Sequence, residues 1–154
     1  MEDYKKKEIK YEKNIAKDYN QFYYSNPIQK YQIKDFVRYV RKSIQRGDKV
    51  LDLGCGPASL WRELTKIKEI KLIGADISSK MITEAKKLYP KGRFIVADSE
   101  KLPLADEEFD VVICSSIFHH LPGPYRPYAG HQRSLCLPRS RTYVRQCLRG
   151  RATA

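Results

Sequence analysis

The sequence predicts an α/β fold built on a parallel sheet. Four short apolar runs, at residues 50–53, 70–76, 93–98 and 109–115, alternate with stretches patterned at helical spacing. Acids recur along them at a near-constant interval: Asp76 follows Asp52 by 24 residues and Asp98 follows Asp76 by 22, each about one strand–helix unit. A glycine turn, Gly54-Cys55-Gly56, comes directly after the first run. In a parallel sheet such acids fall at the carboxyl ends of neighbouring strands, where α/β folds bind their ligands.

Residues 1–46 read as helical. Ile15, Tyr19, Phe22 and Tyr23 recur at helical spacing, Asn26-Pro27 breaks the pattern, and Ile33, Phe36, Val37, Val40 and Ile44 form a second stripe that Gly47 can stop. Nine of the 17 aromatic residues fall here, so the segment either packs them on the sheet or forms a lid over a ligand, with Ala16-Lys17-Asp18-Tyr19 near its mouth. Its basic face reads as solvated surface.

The stretch Val50-Leu51-Asp52-Leu53-Gly54-Cys55-Gly56-Pro57-Ala58 reads as a strand covered on both faces that runs into a turn and then a helix. Gly54 and Gly56 permit a sharp turn and the close approach of a ligand. Pro57 suits a first helical position, with Leu60, Trp61, Leu64 and Ile67 on the buried face that follows. Ile70–Asp76 is the second strand. Ser78 or Ser79 caps the next helix, whose buried face is Met81, Ile82, Ala85, Leu88 and Tyr89 and which Pro90 and Gly92 end. Arg93–Asp98 is the third strand and Ser99–Leu104 a loop. Phe109–Ser115, apolar on both faces and therefore central, is the fourth, with Ser116-Ile117-Phe118-His119-His120-Leu121 at its ligand-facing end.

A strand, glycine turn and helix can serve two ligand classes. The dinucleotide form places a third glycine where Ser59 stands. Asp52 would repel a pyrophosphate and attract a cationic amino-acid group. Asp52-Leu53-Gly54-Cys55-Gly56 resembles the first motif of the class I S-adenosylmethionine-dependent methyltransferases. The string from Ala97 to Leu121, with its acid, Leu102-Pro103, Phe109-Asp110 and His119-His120-Leu121 elements, resembles their small-molecule, type 11-like branch. The resemblance implies a Rossmann-like methyltransferase fold with strand order 3-2-1-4 and an enzyme that methylates a small-molecule acceptor from S-adenosyl-L-methionine. It implies that Asp52, Gly54 and Gly56, with Cys55 in the same turn, hold the methionine moiety. Asp76 would hold the ribose, and Asp98 with Ser99 the adenine. Tyr19, Ile77, Met81, Glu100 and Ser115 complete the expected cofactor site. Branches that methylate base nitrogens or glutamine amides carry an Asn-Pro-Pro-aromatic loop after the fourth strand; Ser115-Ser116-Ile117-Phe118 stands there instead, which argues against a nucleic-acid substrate. His119 and His120 are the candidate general bases, because methyl transfer to a hydroxyl or amine must lose a proton. His119, His120, His131 and a cysteine lack the spacing of a metal site, so no metal is expected.

At 154 residues and 42% hydrophobic content the chain holds a single domain with a core of its own. Its net charge of +12 is uneven: +6 over residues 1–46 (12 basic, 6 acidic), −1 over 47–121 (11 basic, 12 acidic) and +7 over 122–154 (7 basic, none acidic). The sequence therefore divides into an N-terminal helical cap (1–46), an α/β core (47–121) and an Arg-rich tail (122–154). The family pattern would continue with three more strands. Here it stops near residue 121, where all 18 lysines have been used and arginine takes over, so a truncation or frameshift is expected, strands 5–7 are expected to be missing, and the tail is expected to be disordered. The fourth strand would then be a sheet edge, and turnover of so short a chain is in doubt. A non-catalytic cofactor- or RNA-binding module that uses the basic tail is the alternative function, and a nicotinamide oxidoreductase a further one. The cysteines Cys55, Cys114, Cys136 and Cys147 form no C-x-x-C pair, residues 1–13 are charged throughout, and no run reaches membrane-span length, so a cytoplasmic protein without a membrane partner is expected. Oligomeric state is not readable.

Overall fold

The computed structural model describes residues 3–99, 102–103, 109–115 and 135–138. Helices α1 (Asp3–Ser25) and α2 (Pro27–Val40) come first, then a 3-10 turn at Arg41–Ser43. Strand β1 (Lys49–Leu53), helix α3 (Trp61–Leu64), β2 (Lys71–Asp76), α4 (Ser79–Leu88), β3 (Arg93–Val96), β4 (Val111–Cys114) and β5 (Leu135–Pro138) follow. The sheet order is β3-β2-β1-β4-β5, and the first four are parallel neighbours, as expected. Among the described residues no helix is long and apolar enough to cross a membrane.

β5 corrects the expectation that no strand follows residue 121 and that β4 is an edge. It lies antiparallel on the outer side of β4, Leu135 opposite Cys114 and Pro138 opposite Val111. Leu-Cys-Leu-Pro is too short to announce itself by alternation. The apolar β4 offers an open row of backbone donors and acceptors that an extended segment can pair. Pro138 is tolerated because an outer strand needs no donor on its free side. The other tail residues, 122–134 and 139–154, lie outside the described residues.

Asn26-Pro27 does more than break a pattern. Asn26 Oδ1 accepts from the backbone N–H of Ile28 (2.9 Å) and Gln29 (3.3 Å), capping α2, and Pro27 takes the first helical position. α2 buries Ile33, Val37 and Val40. It stops there rather than at Gly47. Ile44 is already extended, and Gly47 (φ 88°) turns the chain into β1 while donating to the Glu69 carbonyl at 2.8 Å. Two further expectations need correcting. Pro57 does not open the helix, because Ala58 adopts φ 61° and prolongs the turn, so α3 begins only at Trp61. Leu88 is 51% exposed, and α4 buries only Met81, Ile82 and Ala85.

Side-chain alternation assigns the two faces of the sheet. Val50, Val111 and Ile113 pack with Trp61, Leu64, Ile82, Ala85 and Phe94 under α2, α3 and α4. Leu51, Leu53, Ile73, Ala75, Val112 and Cys114 form the second layer, with Ile95, Leu102 and Phe109 against it. Asp110 is not part of β4: its Oδ2 accepts from Lys49 N–H at 2.9 Å and its own N–H donates to the Lys49 carbonyl, which locks the start of β4 to the start of β1. Tyr11, Tyr31 and Tyr39 are exposed, so the aromatic cap segment does not simply pack its rings on the sheet.

Candidate active site

All four parallel strands end on one side, and the glycine turn, Asp52, Asp76 and Asp98 stand at that end. The chain leaves β1 through Gly54 (φ 70°) and Gly56 (φ 52°), a backbone geometry that disfavours any side chain. The N–H groups of Gly54 and Cys55 both donate to the Ala75 carbonyl, at 2.8 and 3.1 Å, which clamps the turn onto the end of β2. Asp76, the last residue of β2, completes the clamp. Its Oδ2 accepts from Gly56 N–H and its Oδ1 from Ser78 N–H, each at 2.8 Å. Ser78 Oγ caps α4 by accepting from Met81 N–H at 3.4 Å, which resolves the choice between Ser78 and Ser79.

Asp52 lies at the base of the turn and is 0% exposed. Its Oδ2 accepts from Trp61 Nε1 at 3.0 Å, while its Oδ1 is buried with no hydrogen-bond partner among the described residues. Burial raises its pKa from 3.8 to about 7; the Trp61 hydrogen bond works against that rise and the Asp76 charge adds to it. Trp61 is fixed by stacking on Phe94, ring centroids 4.3 Å apart. Gly74, beside Asp52 in register, leaves room for this packing: a Cβ there would lie 2.7 Å from the Phe94 ring and 2.9 Å from Cys55 Sγ. Burial also pushes the Cys55 thiol well up, helped by the charges of Asp52, Asp76 and Glu12.

Glu12 and Lys5 were not singled out by sequence, yet both reach this site from α1. Glu12 Oε2 is buried, and its charge acts on Cys55. Lys5 Nζ donates to Asp98 Oδ2 at 2.7 Å. The two residues are seven positions apart, two helical turns or about 10 Å. That matches the roughly 9.6 Å that separates β3 from β1 across two strand spacings. α1 therefore crosses the carboxyl ends of the strands, and the recurrence of Lys5, Glu12 and Tyr19 every seven residues is the signal that could have revealed it. Trp61 as the partner of Asp52 left no such signal.

Of the other expected residues, Tyr19 within α1 and Ile77 and Ser115, directly after β2 and β4, are half-buried, Ser99 is buried, and Met81 is enclosed at 1% exposure. Glu100, His119 and His120 lie outside the described residues. The turn suits a cationic amino-acid cofactor on two observations. Space is open at Gly56, where an added Cβ meets nothing within 4 Å. Asp52 Oδ1, in turn, is a buried acceptor that lacks a donor.

A family model described as a methyltransferase domain matches residues 50–135, beyond the position near 121 where the resemblance was expected to end. A demethylmenaquinone methyltransferase from Chlorobaculum parvum is 36% identical over 78 residues, which cover 49% of this chain and 32% of that protein. A malonyl-[acyl-carrier protein] O-methyltransferase from Legionella pneumophila is 33% identical over 75 residues, 46% of this chain and 26% of that one. The chain thus spans about a third or less of the length of these curated relatives. Among solved structures, a TehB-like SAM-dependent methyltransferase from Corynebacterium glutamicum shares the fold with a TM-score of 0.59 at 24% identity, over 72% of this chain and 60% of that one. A magnesium protoporphyrin IX methyltransferase from Synechocystis, solved with bound SAM, has a TM-score of 0.51 at 27% identity, over 63% and 52%. The 3-2-1-4 parallel sheet, the Asp52–Gly56 turn and these matches together make the chain a member of the methyltransferase domain family, of the class I type whose cofactor is S-adenosylmethionine.

Proposed function

We propose that this chain is the cofactor-binding part of a cytoplasmic methyltransferase that moves a methyl group from S-adenosylmethionine to a small-molecule acceptor. The observation that carries the proposal is the glycine turn clamped between Ala75 and Asp76 and open to a ligand at Gly56, with the buried acid Asp52 at its base. Residues 1–46 serve as the cap and 47–121 as the core, to whose sheet Leu135–Pro138 of the basic tail adds an outer strand. Gly54, Cys55 and Gly56 receive the methionine moiety, with the Asp52 charge beneath it. Asp76 accepts from the ribose hydroxyls, with Ile77 and Met81 beside it. Asp98 with Ser99 receives the adenine, Glu100 belongs to the same cofactor set, and Tyr19 and Ser115 complete it.

The cofactor supplies an electrophilic methyl group on a sulfonium centre. The chain's own contribution is to hold that centre in line with an acceptor and to keep water out, so positioning supplies most of the rate. His119 or His120 takes the proton that a hydroxyl or amine acceptor must lose.

A thermal melt of the 154-residue chain with and without S-adenosylhomocysteine tests the proposal. A ligand that binds only the folded state raises the midpoint, by about 2.7 kcal/mol of added stability at a hundred times its dissociation constant. Asp76→Ala is expected to reduce that shift and to weaken binding at least about tenfold, since it removes the charged carboxylate that accepts from the ribose hydroxyls. A cooperative transition that the ligand leaves unmoved would sink the cofactor assignment.

A further inference from the structure

We infer that Lys5 is a positioning residue for base recognition: it holds the Asp98 carboxylate turned to the exocyclic amino group of the cofactor's adenine. This rests on the proposal that Asp98 is the adenine acceptor. α1 carries six lysines, and five of them (Lys6, Lys7, Lys10, Lys13 and Lys17) are exposed while Lys5 alone is buried, at 7% exposure. A buried ammonium persists only when it is paired. Its partner lies 93 residues away, so the contact is set by the fold and not by helix-surface spacing.

The two sides of the pair differ in access. The Lys5 side chain is 8% exposed and the Asp98 side chain 25%. The ammonium thus approaches from the buried side of the pair, and the acid is the partner that a ligand can reach. Lys5 also brings positive charge to a row of acids, Asp52, Asp76, Asp98 and Glu12, that would otherwise repel one another. An anion held in place accepts from the amino group of adenine and repels the carbonyl oxygen that hypoxanthine carries at the same position. Lys5 therefore contributes to choosing the base without touching it.

The test is calorimetric binding of S-adenosylhomocysteine and of S-inosylhomocysteine to the full chain, wild type against Lys5→Met, Lys5→Arg, Lys7→Met and Asp98→Leu, each first checked for a cooperative melt without ligand. Lys5→Met is expected to weaken S-adenosylhomocysteine about tenfold while leaving the inosyl ligand unchanged, so the preference shrinks by that factor. Lys5→Arg is expected to keep the preference, and Lys7→Met, whose lysine is exposed, to change nothing. Equal loss for both ligands in Lys5→Met, or no loss, overturns the role of Lys5. If Asp98→Leu abolishes the preference while Lys5→Met retains it, Lys5 alone is wrong. If Asp98→Leu, which unlike asparagine offers the base no acceptor, retains the preference, the adenine assignment fails and takes the role of Lys5 with it. Should Lys5→Met not melt cooperatively, Lys5→Arg and Asp98→Leu decide the question, because a preference lost in Lys5→Arg also overturns the role.

Discussion

Replacing Asp52 with asparagine tests the electrostatics at the base of the site. Asp52 is fully buried, and its pKa rises from 3.8 to about 7, chiefly because burial disfavours the anion. Between those two values the folded chain keeps a proton that the unfolded chain releases. The folded state then binds more protons, so stability falls as pH rises through this window, and above it the full cost of the buried anion is present. About three pKa units at 1.36 kcal/mol each give a penalty of ~4 kcal/mol at pH 8. Asparagine does not ionise and escapes that penalty. Its amide places an N–H2 group where Oδ1 lacks a partner, at a cost of about 1–3 kcal/mol at every pH. Asp52→Asn should therefore be less stable than wild type near pH 4 and more stable near pH 8, with a crossing between. Urea denaturation of both proteins at pH 4, 6 and 8, extrapolated to water, reads the difference directly. Other carboxylates titrate too, but they are common to both proteins and cancel. A difference that stays flat with pH would refute the assignment of a protonated, buried Asp52. The same substitution should weaken S-adenosylhomocysteine binding at pH 8 even as it stabilises the fold.

Trp61→Phe removes the indole donor to Asp52 but keeps a ring on Phe94; a loss of about 1–3 kcal/mol in urea is expected, with the pH window of Asp52 moved upward because that hydrogen bond holds its pKa down. Gly74→Ala forces a methyl group to within 2.7 Å of the Phe94 ring and 2.9 Å of Cys55 Sγ, and should cost about 1–3 kcal/mol, read as a lower urea midpoint with an unchanged slope. Cys55 should resist alkylation by iodoacetamide at pH 8 in the folded chain, because burial and then the nearby acids hold its thiol protonated, and should react quickly in denaturant. Mass spectrometry of the Cys55 peptide checks this, and rapid labelling of the folded chain would contradict the buried geometry.

Much of the scaffold was legible because its signals are local. Strand runs, helix stripes, the Asn26-Pro27 break and the glycine turn each depend on neighbours a few residues away, and so the four parallel strands and the acids at their ends could be placed from the chain alone. Local rules failed where a neighbour distant in sequence decided the outcome. Pro57 could not open a helix because the clamp of Gly54 and Cys55 on the Ala75 carbonyl carries the turn on to Ala58. Gly47 ends no helix because the Glu69 carbonyl recruits its N–H. Leu135–Pro138 became a strand because β4 offered a partner.

The sequence by itself determined the class of fold, the family, and the acids that line the carboxyl ends of the strands. Only the tertiary structure decided what each acid does. Asp52 is sealed against Trp61, Asp76 clips the glycine turn to α4, and Asp98 is held by a lysine from the first helix. The reason is physical. Periodicity records which face of an element is buried, whereas the protonation and orientation of a carboxylate depend on the charges, donors and solvent that the whole fold brings within a few ångströms of it.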